Sequence, residues 1–162
     1  MRQNLQLTDK GLAMIKIGEK INKETIPWLQ PVKNYLHITE IRLAFLERYQ
    51  YYYVTNDSLS IANIGIAKDI FIALDSSDKV MTIFIFLDNT SVNLVTTLNG
   101  IYKTIPLEAR SGIGQQRSSI LQHWIKDGIS VLYRKNDSSK YSKISIHKTM
   151  EGKNYSSVNF IE

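Results

Sequence analysis

Apolar and polar positions along the chain follow two different periods, and the shorter one dominates its middle. Between Lys79 and Ile105 the run VMTIFIFL, the dipeptide Asp88-Asn89, the run SVNLVTTL, the dipeptide Asn99-Gly100 and a short IYKTI succeed one another. β-Branched runs separated by dipeptides that tolerate positive φ predict a three-stranded antiparallel meander. Farther on, ISVLYRK, the loop Asn136-Asp137-Ser138-Ser139 and KYSKISIH predict a second hairpin. Its second arm alternates, with Ile144 and Ile146 on one face and Lys143, Ser145 and His147 on the other. Tyr51-Tyr52-Tyr53-Val54 reads as a strand ended by Asn56-Asp57-Ser58, and a last short strand is expected from Tyr155 to Ile161. Ile64, Ile66, Ile70, Ile72 and Leu74 share one parity, while Ala67-Lys68-Asp69 equally suits the start of a short helix. Residues 67–74 are therefore open between strand and helix.

Helical spacing appears elsewhere. Thr8 can cap a helix carrying Leu12, Ile15, Ile17 and Ile21, although Gly11 and Gly18 weaken it. Pro27 and Pro31 break the chain around Trp28 and Leu29, and from Val32 to about Tyr49 the apolar positions describe a helix with a broad buried face. Beyond Pro106, Ile113, Ile120, Leu121, Trp124 and Ile125 predict a helix ending at Asp127, with Gly128 as its left-handed cap. The sum is an α+β domain in which N-terminal helices pack on a mainly antiparallel sheet, meander plus C-terminal hairpin, interrupted by one helix.

A chain of 162 residues suits a single globular domain, 1–162, and no linker-like stretch or internal repeat divides it. The absence of cysteine removes disulfides, thiolate metal sites and cysteine nucleophiles together. The polar opening MRQNLQLTDK lacks a secretion-signal core, and no apolar run approaches the roughly 18 residues of a membrane span, so a cytoplasmic protein that avoids membranes is expected. Plentiful Ile, Asn, Lys, Tyr and Ser with little Ala match an AT-rich coding sequence and hint at a bacterial or phage gene.

Charge separates the chain into unlike halves. Residues 1–100 hold ten basic and ten acidic side chains, whereas 101–162 hold ten basic and five acidic, so the whole net charge of +5 lies in the second part. Such a field favours anionic partners without choosing among them: an acidic protein surface, or RNA.

Chemistry-bearing residues are few. His37 with Glu40 three residues on supplies two ligands for a metal where a site needs more, and no H-x-x-x-H spacing exists, so neither a metal nor a cofactor is expected. His123 beside Trp124 reads as a boundary histidine. His147 shares a strand face with Lys143 and Ser145, and Arg134 or Lys135 joins it depending on register. With Tyr133, the set His147, Lys143 and Arg134 matches what a metal-independent ribonuclease needs, a proton-transfer group and cations for the charge on a phosphorane, although any solvated basic sheet face looks the same. Gly112-Ile113-Gly114 with Arg110 and Arg117 superficially resembles an anion-cradling helix entry, without the Lys-Ser/Thr pair of a P-loop. Tyr51 and Tyr53 on one strand face suit an interface or core packing. Asp75, Asp78 and Asp88 sit near turns, where Asp bonds its own backbone.

Two functional expectations follow. The first is a non-enzymatic protein-binding module of immunity or antitoxin type, with a toxin among its candidate partners, meeting an acidic surface through Arg110, Arg117, Arg134, Lys135, Lys143, His147, Tyr51 and Tyr53. The second is an RNA-binding protein or small ribonuclease built on His147, Lys143, Arg134 and Tyr133. A small-ligand sensing domain is a further alternative.

Overall fold

A nine-stranded sheet dominates the computed structural model, which describes residues 5–32, 42–43, 49–55, 59–88, 94–103, 107–108, 119–136, 141–149 and 160–161. In chain order the elements are β1 (Gly11–Leu12), β2 (Ile15–Lys16), β3 (Leu29–Pro31), β4 (Arg42–Leu43), β5 (Gln50–Val54), β6 (Ser60–Ile61), β7 (Gly65–Leu74) and β8 (Val80–Asp88). There follow α1 (Val95–Tyr102), β9 (Leu107–Glu108), β10 (Ser119–Lys126), β11 (Ile129–Asn136), β12 (Tyr141–Lys148) and β13 (Phe160–Ile161). The sheet runs β3-β5-β7-β8-β12-β11-β10-β9 with β6 beside β7, and every adjacent pair is antiparallel. Two small pairs, β1-β2 and β4-β13, lie outside it.

This architecture overturns the expected α+β arrangement of N-terminal helices packed on a sheet. Where a helix capped by Thr8 was expected, the chain makes the β1-β2 hairpin. The two glycines that weakened the helical reading explain why. Gly18 adopts φ +82°, and a Cβ on Gly11 would lie 2.2 Å from the Ile15 carbonyl oxygen, so the hairpin closes only because that side chain is missing. Gly11→Ala is accordingly expected to destabilise the protein by about 3 kcal/mol, since a backbone atom cannot move aside as a flexible side chain can. Urea denaturation checks this, and a change under about 0.5 kcal/mol would contradict the close approach.

Of the helix expected over Val32 to Tyr49, the described residues Arg42 and Leu43 form a strand paired with β13, and most of the remainder lies outside the described residues. Among the described residues the three-stranded meander reduces to one strand, β8. SVNLVTTL contributes instead to α1, because Leu94, Leu98 and Tyr102, four residues apart, all bury on one side. Asn99-Gly100 falls within that helix, and Lys103 in the left-handed region ends it, donating its N–H to the Asn99 carbonyl at 2.8 Å. The open segment 67–74 is strand.

The expected helix ending at Asp127 is also corrected: its described part is β10. Asp127 and Gly128 have φ of 52° and 78°, the paired positive values of a two-residue hairpin turn, and they join β10 to β11 over eight residue pairs. A left-handed glycine serves a helix cap and such a turn equally, so Gly128 could not separate the two readings. The C-terminal hairpin β11-β12 is as expected, and of the last expected strand Phe160 and Ile161 are described and extended.

Alternation then sorts the sheet into two faces. On the first, Tyr52, Ile72, Ile83, Ile146, Val131 and Trp124 form a continuous cross-strand row. Leu7, Leu12 and Ile15 from the N-terminal segment and Leu98 and Tyr102 from α1 join these residues in one buried cluster. That cluster is the main core.

Candidate functional site

The second face is divided lengthwise between β8 and β12. On the β5-β7-β8 side it is aromatic: Phe71, Phe84 and Phe86 are buried together, with Tyr51, Tyr53 and Tyr141 packed against them. Phe71 and Phe86 meet edge to face at 6.1 Å. On the β12-β11-β10 side it is polar. Phe84 stands opposite Ser145, Phe86 opposite Lys143 and Thr82 opposite His147.

Register assembles the polar half. Ser130 pairs with His147, Leu132 with Ser145 and Arg134 with Lys143, while His123 stands opposite Leu132 on the next strand. Of the sequence-derived set, the structure therefore joins His147, Lys143 and Arg134 on one face. It places Tyr133 and Lys135 on the other, by strand parity. Tyr51 and Tyr53 share the second face but lie in its aromatic half. Arg110, Arg117 and the Gly112-Ile113-Gly114 entry, like His37, lie outside the described residues.

The expected solvated basic face is instead largely enclosed. His147 is 3% exposed, Lys143 6% and Ser130 1%, whereas Arg134 is exposed. Burial pushes the His147 imidazole down to about 4, with His123 and then Lys143 adding smaller unfavourable charge interactions. Burial also lowers His123. Both rings are neutral near pH 7, and His123 shares a hydrogen bond through Nε2 with the Ser130 hydroxyl. Sequence reading missed Ser130 and Thr82, whose place beside His147 depends on strand pairing; the β11-β12 register alone would have found Ser130.

A hydroxyl bonded to a neutral imidazole is the starting pair of a serine nucleophile, but such a pair needs access for an electrophile. Ser130 lacks that access. What the arrangement does accomplish is to fix register, because a slip by one residue would bring Ile144 and Ile146 to the polar side. Among the described residues no group of three His, Asp or Glu side chains is placed to hold a metal ion. Asp75 behaves as a turn residue: its carboxylate accepts the Ser77 and Lys79 N–H groups at 2.8 and 3.0 Å, and these bonds, Lys79's foremost, hold its pKa below the usual value. No helix among the described residues is long and apolar enough to cross a membrane.

Comparison of the chain with protein-family models, curated proteins and solved structures finds no match.

Proposed function

We propose that this chain is a non-enzymatic protein-binding module that neutralises or regulates one partner, of the kind found as the immunity or antitoxin member of a bacterial toxin pair, and that it acts in the cytoplasm. The observation that carries the reading is the enclosure of His147 and Lys143 at 3% and 6% exposure. A general acid or base and a phosphate-binding cation must both touch a polynucleotide to cleave it, and these two are built into the sheet's interior. What reaches the surface from the same cluster is Arg134, a planar cation suited to carboxylates. Together with the positive excess after residue 100, this favours an acidic protein surface as the partner.

Tagged protein expressed in a bacterial host is expected to leave growth unchanged and to co-purify with an acidic protein encoded beside it. Arg134→Glu is expected to reduce that recovery about tenfold through like-charge repulsion, with the circular dichroism spectrum unaltered. Growth arrest, or recovery of tRNA or ribosomes in place of a protein, would refute the proposal and favour RNA.

A further inference from the structure

A groove with a volume of about 400 Å³ lies at one end of the sheet, between the N-terminal hairpin and the β10-β11 turn. Its walls are tied by backbone hydrogen bonds. Ile17 donates its N–H to Lys10 O at 2.9 Å, Gly18 to Val80 O at 2.8 Å and Thr149 to Gly128 O at 2.7 Å. These link the β1-β2 hairpin to β8, and the turn at Gly128 to the residue following β12. The groove is therefore built by segments from both ends of the chain, held on a rigid sheet.

Its charged lining is Lys10, Lys16 and Lys148 against Glu19 and Asp127. Lys10 precedes β1, Lys16 ends β2 and Lys148 ends β12, and all are solvent-exposed. Lys126 bonds Asp9 Oδ2 at 3.1 Å and is not in the lining, while Lys148 of the lining also acts on the nearby Asp75 carboxylate. Thr149, the remaining polar side chain of the lining, has a hydroxyl with no hydrogen-bond partner.

We infer that this groove is a binding site for a compact polyvalent anion bearing phosphoryl or carboxylate groups. Three lysines line one concavity, where low-dielectric walls concentrate the field of nearby positive charge. Lysine binds phosphate as a mobile point charge, and three such stems can close on one ligand from different sides. The two carboxylates of the lining lower the net positive potential without reversing it, and because the remaining attraction grows in proportion to the ligand's charge, a polyvalent anion gains more than a monovalent one. This site is independent of the protein-binding role: it takes Ile129 and Lys148 from the ends of β11 and β12 and uses none of the residues of the polar sheet face.

Titration of the full chain with inorganic pyrophosphate, and separately with citrate, at low ionic strength tests it, read by amide shifts in ¹H–¹⁵N spectra. Saturable shifts centred on the Gly18 and Gly128 amides are expected, with a Kd of about 1 mM or tighter for at least one probe. Pyrophosphate alone would mark a phosphoryl ligand, citrate alone a carboxylate one, and both a site that reads charge. Lys16→Gln and Lys148→Gln are each expected to weaken binding about fivefold, while Lys68→Gln, an exposed lysine on β7 away from the groove, stays within twofold. Non-saturating shifts, shifts centred elsewhere, or equal weakening by Lys68→Gln would overturn the site. Lys16→Gln and Lys148→Gln, each at an exposed position, keep the test separate from folding.

Discussion

Trp124→Ala is expected to lower the unfolding free energy by about 3–5 kcal/mol, the range for deleting a large aromatic side chain from a core. Trp124 is 0% exposed, ends the apolar cross-strand row on β10 and packs against Tyr102 of α1 at a ring-centre distance of 6.0 Å. Its indole N–H donates to Asn99 Oδ1 at 2.9 Å. The side chain thus joins the α-helix to the sheet twice, by apolar contact and by a directed bond. Separating the two contributions needs two further variants. Trp124→Phe keeps most of the packing and releases the exposed Asn99 to water, so about 1–2 kcal/mol is expected. Asn99→Ala leaves a buried indole donor unpaired, and about 1–3 kcal/mol is expected. Guanidinium denaturation of the three proteins checks the order. A loss below about 1 kcal/mol for Trp124→Ala would show that α1 is not anchored through this residue.

Stability should also fall on mild acidification. The His147 pKa is depressed from 6.5 in the unfolded chain to about 4 in the folded one, so between these values the unfolded state binds more protons. Stability is then complete above about pH 6.5 and is progressively lost as the pH falls toward 4. The gap corresponds to about 3 kcal/mol, and the lowered pKa of His123 acts in the same direction. Asp75 contributes in a separate window: its stabilisation is present above its unfolded value of 3.8 and is lost only below it. Urea midpoints measured between pH 7 and 4 should therefore slope downward for the native chain. His147→Gln, which keeps a polar side chain but does not titrate here, should flatten most of that slope. An unchanged slope in His147→Gln would remove His147 as its cause.

The legible parts of the fold share a property. In β12 the alternation from Lys143 to His147 is strict and the hairpin is marked by turn residues, so only one period fits. In Ile120, Trp124 and their neighbours two periods fit, because residues four apart share a face on a helix and on a strand alike. α1 shows the converse: Leu94, Leu98 and Tyr102 satisfy both periods, and β-branched neighbours weighted the reading toward strand. Local pattern cannot decide such segments. β10 is a strand because the Asp127-Gly128 turn brings it against β11, and α1 is a helix whose Leu98 and Tyr102 pack into the main core.

The candidate site divides in the same way. That Lys143, Ser145 and His147 share a face was readable from a single strand, and so was the charge excess after residue 100. That this face is enclosed was not. Enclosure depends on β12 pairing with β8, some 60 residues earlier, which sets Thr82, Phe84 and Phe86 beside His147, Ser145 and Lys143. The chain's own order thus determines local alternation, turn chemistry and total charge, because each depends on neighbours a few residues away. Helix or strand where the periods coincide, and solvent or interior for a polar face, were decided by tertiary pairing, because burial is a property of what lies opposite in space.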